Sequence, residues 1–392
     1  MVSMINDLIS ALMNGDTATA SAIGIDFLQM IIMFIIGGIL IYLAIKKDYE
    51  PALLLPIGFG AIICNIPFTS IVTHPETGEL GVFGFLYETT IANELFPVLI
   101  FIAVGAMIDF TPLFQTPSML FFGAAAQFGI FATMLVAILL GFSLPEAGAI
   151  GVIGAADGPT TIYVANAFKL KELIGPLSVA AYSYMSLVPI IQPPVIKALT
   201  TKEERKIRME FKQRNVSKLA KILFPIVVTV IAGLIAPESV ALIGALMFGN
   251  LIRECGVLNR LSETASNVLS NLVTLLLGIT IGTTMQADAF LNWKTLLIMV
   301  MGLVAFIFDT AGGVLFAKFL NLFRKQKINP MVGAAGISAF PMSARVIQKM
   351  AKEEDPMNFV LMQSVAANVA GQLGSVVAGS MILVLVGRII GL

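Results

Sequence analysis

The sequence predicts an all-α polytopic membrane protein built from two inverted-topology repeats, each with five helices and one broken, re-entrant helix. Three observations carry that expectation. Of 392 residues, 57% are hydrophobic and only 12% are charged, about half the roughly 25% charged share of a soluble domain. Apolar runs near the ~20 residues needed to cross a bilayer recur along the chain. One segment also occurs twice, and both copies are interrupted where a membrane helix should be smooth.

The two copies are GVIGAADGPTTIY at 151–163 and PMVGAAGISAFPMSARV at 330–346. Each places Gly-Ala-Ala in an apolar stretch and then a breaker, Asp157-Gly158-Pro159 in one and Phe340-Pro341 in the other. Gly333 follows Gly154 by 333 − 154 = 179 positions, near half the chain. Paired interrupted segments in corresponding places are the sequence signature of a transporter binding site at a repeat interface.

Smooth spans are expected at about 24–45, 51–66, 92–109, 118–141, 173–197, 218–236, 238–252, 265–284, 295–320 and 357–387. The interrupted segments are 146–168 and 329–350. Residues 1–23 lack a basic region followed by an apolar core, so no cleavable signal peptide is expected. Ile5–Met13 reads instead as a short apolar or interfacial helix. The chain then divides into an N-terminal amphipathic segment (1–23), a first membrane repeat (24–200), a basic cytoplasmic linker (201–217) and a second membrane repeat (218–392).

Basic residues set the orientation. Residues 197–221 hold nine Lys and Arg against three Glu, and Lys318, Arg324, Lys325 and Lys327 form a second basic connection. Such loops stay in the cytoplasm. The neighbourhood of His74 (66–91) has no Lys or Arg and is expected outside. If each broken segment enters and leaves on one side, each half crosses five times, and an odd number inverts the second half. Lys169 and Lys171 are the misfit to that scheme.

Irregular backbone at membrane depth is tolerated only against protein or a polar cavity. Its freed carbonyls are hard oxygen ligands suited to a cation such as Na⁺, and a helix N-terminus after a break favours an anion. An intramembrane carboxylate such as Asp157 is a functional candidate by default, or else a capping residue at the surface. Arg345 either clamps a carboxylate or anchors the chain in the cytoplasm. Asn329, Ser338 and Asn368 are neutral oxygen donors near the second break, each alone a common helix-packing residue. Tyr182 and Tyr184 precede Pro189, Pro193 and Pro194, which predict a distorted helix. A tyrosine there supplies a proton or an oxygen ligand, or marks the interface. Asp309, mid-span, is a second proton or ion candidate, with Gln127 loosely corresponding in the first half. Asp109 ends a helix and reads as interfacial.

Several classes drop out. Lys plus Arg equals Asp plus Glu at 24 each, so no nucleic-acid partner is expected. His74 is the only histidine, and Cys64 and Cys255 sit in different halves, which leaves no His triad and no zinc or iron–sulfur cluster. No Walker loop, GxSxG or dinucleotide fingerprint is present.

GAADGPTTIY, VAAYSYMSLVPIIQPP, NPMVGAAGISAFPMSARV and QSVAANVAGQLGS together resemble the β subunit of the sodium-translocating, biotin-dependent decarboxylases. Oxaloacetate, methylmalonyl-CoA, glutaconyl-CoA and malonate decarboxylase pumps make up that family. The resemblance runs from about residue 25 to the end. It implies a bacterial inner-membrane subunit that decarboxylates carboxybiotin carried on a partner, consumes a proton and exports Na⁺. The implied partners are a carboxyltransferase α subunit, a biotin carrier and a small single-helix γ or δ subunit, with this chain a homotrimer of elevator-like core and scaffold. By the same resemblance the catalytic residues are Asp157, Tyr182, Tyr184 and Arg345. Arg345, Ser338, Asn329 and Gly333 bind substrate, and Asp157, Asn368, Asn329 and Ser338 hold Na⁺. Paired breaks fit a Na⁺/H⁺ antiporter or a Na⁺-coupled organic anion carrier equally well, and that alternative stays open on the residues alone.

Overall fold

The computed structural model describes residues 10, 17–48, 50–74, 78–211 and 215–391. The helix expected at Ile5–Met13 falls, but for Ser10, outside them, as do Lys212 and Arg214. The described residues are nearly all helical, with one isolated bridge between Thr73 and Leu80.

The main helices are α1 (Thr17–Lys47), α2 (Pro51–Cys64), α3 (Leu95–Met107), α4 (Leu120–Ala126), α5 (Phe128–Leu139), α6 (Leu144–Val152), α7 (Gly158–Ala167), α8 (Lys171–Leu199), α9 (Lys218–Ile235), α10 (Val240–Cys255), α11 (Ser270–Gly282), α12 (Trp293–Phe323), α13 (Met342–Glu354) and α14 (Leu361–Ile390). Among the described residues, seven helical stretches are long and apolar enough to cross a membrane: Asp26–Lys47, Pro117–Leu139, Leu173–Leu199, Lys218–Ile235, Asn259–Gly282, Trp293–Phe323 and Leu361–Ile390. The chain is a multi-pass membrane protein. Along α9, Leu219, Leu223, Ile226, Val230 and Leu234 are all exposed. Such an unbroken apolar face suits acyl chains and not water.

Three features of the spans have physical causes. The span expected at 265–284 begins earlier, because a π-turn at Thr264–Leu269 joins Asn259–Glu263 to α11. The span expected at 173–197 is present as α8, one helix through Pro176, Pro189, Pro193 and Pro194, as membrane helices permit when neighbours serve the freed backbone groups. The span Pro117–Leu139 is interrupted at Gln127, between α4 and α5. Gln127 Nε2 donates to Gly123 O at 3.0 Å and to Gly336 O at 3.3 Å.

Two compact units form, each drawing on both halves of the sequence. The smaller comprises residues up to 93 and 274–297. Within it, Asn65 Nδ2 donates to Met285 O at 2.7 Å and Asn65 Oδ1 accepts from Ala287 N at 2.8 Å, which ties the end of α2 to the segment after α11. The larger unit comprises 94–273 and 298–392. There α10 caps the end of α3: Asn250 Nδ2 donates to Ile108 O at 3.0 Å and Arg253 to Met107 O at 2.5 Å. A cation at a helix C-terminus is favoured by the dipole and satisfies carbonyls that lack helical partners.

Both duplicated segments are broken. The first runs from α6 through a 3₁₀ turn (Ile153–Ala155) to Ala156, which adopts φ 52°, ψ 48°, and then restarts as α7 with Asp157 as its N-cap. The second is a 3₁₀ turn (Pro330–Gly336), a non-helical stretch of bends and a turn containing the cis Phe340-Pro341 bond, and then α13. Both lie in the larger unit.

Candidate functional site

The two breaks meet. Ser338 N donates to Ala155 O at 2.9 Å, so the backbone of one interruption is tied to that of the other. Asp157 lies beside this junction and is only 3% exposed. Its Oδ1 accepts from Thr160 N at 3.2 Å, the N-cap bond that starts α7. Its Oδ2 is approached by three hydroxyls from three elements: Ser375 at 2.6 Å from α14, Thr160 at 2.7 Å from α7, and Ser338 at 3.2 Å from the second break. Ser375 and Ser338 are themselves 3.1 Å apart. No basic side chain pairs with Asp157 among the described residues. This is a carboxylate met by one backbone N–H and three neutral hydroxyls, whose oxygen lone pairs suit a hard monovalent cation.

Two buried polar atoms nearby lack partners. Asn368 Nδ2 donates to Ile337 O at 2.7 Å, one residue from Ser338, while its Oδ1 bonds nothing. Tyr182 is buried with its hydroxyl unpaired. A Cβ on Gly158 would lie 2.3 Å from the Tyr182 ring carbon that carries this hydroxyl. The glycine after Asp157 therefore makes room for the ring, and the phenol end sits one residue from the carboxylate. An unsatisfied buried oxygen costs about 1–3 kcal/mol, so each of these two atoms is open to a further donor or a cation. Tyr184 differs. Its hydroxyl donates to Met299 O on α12.

Side-chain amides stitch the second break to its surroundings. Gln192 Nε2 on α8 donates to Ala334 O at 2.9 Å, and Ser343 Oγ reaches the same carbonyl at 3.2 Å and Gln192 Oε1 at 2.9 Å. With Gln127 on Gly336 O, Asn368 on Ile337 O and Ser338 N on Ala155 O, four carbonyls of the breaks have donors from outside their own segment or helix. These backbone oxygens, of the kind expected as ion ligands, also hold the breaks together.

The remaining sequence candidates lie elsewhere in the larger unit. Asn329 caps the second 3₁₀ turn: its Oδ1 accepts from Met331 N at 3.1 Å. Its Nδ2 donates to Arg205 O at 2.8 Å and Ile207 O at 2.9 Å, anchoring the basic linker. Asn358 makes the same pair of bonds. Two ion pairs complete that anchor, Arg205 to Glu354 at 2.7 Å and Arg208 to Asp355 at 2.6 Å, and hydrogen bonds from the two guanidinium groups hold both carboxyls below their ordinary range. We expect Asn329→Ala to lower thermal stability by about 1–3 kcal/mol and to leave Na⁺ half-saturation unchanged. Titrating Na⁺ on the folded variant reads both, and a Na⁺ shift without loss of stability would return Asn329 to the ion site. Gly333 sits backbone to backbone against Gly313. Arg345 is exposed on α13, where with Gln348, Lys349, Lys352, Glu353 and Leu361 it lines an open cavity of about 490 Å³.

Two members of the Asp157 cluster went unread in the sequence. Ser375 follows Asn368 by seven residues, two helical turns along one face. Thr160 is the third residue of a helix capped by Asp157, where a capping aspartate finds its backbone donor.

A buried acid ringed by hydroxyls at the junction of two broken segments, inside an apolar multi-pass protein, defines a membrane ion-handling protein. The chain belongs to the family of the Na⁺-transporting oxaloacetate decarboxylase beta subunit, whose family model matches residues 29–386. It is 49% identical over 378 residues to the methylmalonyl-CoA decarboxylase subunit beta of Propionigenium modestum, covering 91% of this chain and 95% of that one. It is 51% identical over 356 residues to the glutaconyl-CoA decarboxylase subunit beta of Acidaminococcus fermentans, covering 91% and 93%. It is 44% identical over 408 aligned positions to the oxaloacetate decarboxylase beta chain 2 of Salmonella typhi, covering 90% and 94%.

Proposed function

We propose that this chain is the membrane subunit of a Na⁺-pumping, biotin-dependent decarboxylase, with Asp157 as the ion-binding carboxylate of its transport site. The observation that carries the reading is the convergence of Ser375, Thr160 and Ser338 on Asp157 Oδ2. In this reading Asp157, Ser338, Ser375 and the free Oδ1 of Asn368 hold Na⁺. The hydroxyls rotate their protons away and present lone pairs when the ion enters. Arg345 with Lys349 and Lys352 receives an anion at the open cavity. Carboxybiotin, brought by a biotin carrier that a carboxyltransferase α subunit loads, supplies a carboxyl group whose loss as CO₂ drives transport and takes up one proton. Tyr182, whose hydroxyl is unpartnered beside Asp157, holds a proton for that step, and Tyr184 positions α8 against α12. Coupling requires Na⁺ to bind the inward- and outward-facing states with different affinity.

The 179-residue offset and the two breaks that meet support inverted repeats with an elevator-like core. A homotrimer and a small single-helix γ or δ subunit complete the proposed assembly by family likeness. Purifying this chain from its native membrane and probing for a copurifying biotinylated protein tests the reading directly. Avidin is expected to block Na⁺ uptake into inside-out vesicles. Uptake indifferent to avidin, with no biotinylated partner, would move the chain to the secondary carriers.

Arg345→Ala is expected to raise the concentration of carboxylated carrier needed for half-maximal rate by about 10- to 100-fold. That corresponds to roughly 1.4–2.8 kcal/mol for a lost charge-assisted contact. Na⁺ half-saturation should move by less than about twofold, because the guanidinium is not part of the Asp157 cluster. Steady-state kinetics with purified carrier separates the two constants, and equal losses in both would assign Arg345 a structural role.

A further inference from the structure

The larger unit holds a second buried acid that the Asp157 cluster does not use. Asp309 is the seventeenth of the 31 residues of α12 and is 0% exposed. Its Oδ1 accepts from Ile130 N at 3.0 Å, in the first turn of α5 just after the Gln127 interruption. Its Oδ2 has no hydrogen-bond partner, and no cation pairs with it among the described residues. Asp157 collects a backbone donor and three hydroxyls, whereas Asp309 leaves one carboxyl oxygen bare.

The bare oxygen faces the first break. A Cβ on Gly154 would come within 2.8 Å of Asp309 Oδ2, and one on Gly129 within 2.3 Å of Oδ1. Two glycines thus leave the space in which the carboxyl sits. Gly154 belongs to the 3₁₀ turn Ile153–Ala155, and Asp157 follows three residues later. Two segments that pack on Asp309, residues 128–130 and 153–155, carry no titratable side chain. The next one along them is Asp157 itself. Buried polar atoms without partners also occur at Thr310, beside Asp309, and at Thr133, one turn beyond Ile130.

An ionised carboxylate in this position keeps a full charge mid-membrane with few donors, at a cost of several kcal/mol. A proton on Oδ2 removes the charge and leaves one unmade hydrogen bond, about 1–3 kcal/mol. The neutral form is the cheaper one. We propose that Asp309 is a second monovalent-cation site, a proton site, coupled through the Ile153–Ala155 turn to Na⁺ at Asp157. This rests on the Na⁺ reading above. The step is a proton transfer alone: an O–H bond forms on Oδ2 as hydronium reverts to water, and it breaks when the proton returns to water. Na⁺ at Asp157 adds positive charge on the far side of the turn and disfavours the proton. By linkage, the proton disfavours Na⁺ to the same degree.

The purified complex is treated with a hydrophobic carbodiimide, which modifies protonated buried carboxyls, and the modified residue is read by mass spectrometry. Labelling is expected at Asp309, slowing as pH rises and slowing again when Na⁺ is added. An Asp309 that stays unlabelled while other acids react overturns the proposal, and so does labelling indifferent to both pH and Na⁺. In vesicles, Asp309→Asn keeps the acceptor for Ile130 N and removes the proton site. It is expected to flatten the pH dependence of Na⁺ half-saturation, with Asp309→Glu restoring it. A variant with the wild-type pH profile makes Asp309 a mere helix cap and overturns the proposal. If the complex moves no Na⁺ at all, the function reading fails, while pH-dependent labelling still reports the proton site.

Discussion

Asp157→Asn is expected to abolish Na⁺-stimulated decarboxylation and Na⁺ uptake together while leaving the fold intact. Asparagine caps a helix about as well as aspartate, so α7 keeps its start through Thr160 N. The substitution removes the only formal negative charge in the cluster. It also places an amide among Ser375, Thr160 and Ser338, which now point hydroxyl protons at a carboxylate oxygen. Leaving one partner of a buried charge pair alone costs roughly 3–5 kcal/mol. At 1.4 kcal/mol per tenfold, Na⁺ affinity falls by about 10²- to 10³-fold or more. Binding is readable without turnover. An ion that binds the folded state raises its melting temperature with concentration, so wild-type protein should show a Na⁺-dependent rise and the variant none. A variant that melts like wild type, responds to Na⁺ and pumps at full coupling would remove Asp157 from the site.

How much of this is legible in the chain alone can be judged residue by residue. A buried acid within a duplicated break is a local pattern, so Asp157 and the Ser338 segment stand out in the sequence by themselves. The meeting of the two breaks follows from the duplication once each is read as facing a common cavity. Ser375 and Thr160 need geometry, since serine and threonine in membrane helices usually bond their own backbone, as Ser380 does to Val376 O. Asn329 shows what polarity alone leaves out. Its polarity and position near the break suggest an ion ligand, but its partners Arg205 O and Ile207 O come from a linker more than 120 residues earlier. The interruption at Gln127 has no proline to announce it. It is matched by a tertiary partner, Gly336 O, invisible to local periodicity. The four prolines of α8 leave the span expected at 173–197 whole, because breaker propensity is a weak prior inside a packed membrane helix.

Gly333→Val is expected to cost the larger unit its stability and, with it, the Na⁺ response. A Cβ at Gly333 would stand 2.0 Å from Gly313 O and 2.5 Å from Gly313 C, and the reciprocal Cβ at Gly313 would stand 2.1 Å from Gly333 O. These are backbone atoms of α12 and of the second break, with no flexible side chain between them to yield. Overpacking costs about 1–3 kcal/mol even where neighbours can shift, and valine adds two methyl groups to a contact that alanine already closes. Relief requires the turn Pro330–Gly336 to lift from α12. That motion strains the bonds of Ala334 O to Gln192 and Ser343 and of Gly336 O to Gln127, and Ser338 lies two residues further on. For a domain of 150–250 residues each kcal/mol moves the midpoint by roughly 2–4 °C, so a loss of about 5 °C or more is expected in detergent-solubilised protein. Gly38→Ala is the control, because its Cβ meets nothing within 4 Å and helix propensity favours alanine by up to about 1 kcal/mol. If Gly333→Val melted with wild type while Gly38→Ala behaved as expected, the glycine-to-glycine contact that seats the second break against α12 would not exist, and the alignment of Ser338 with Asp157 would need another support.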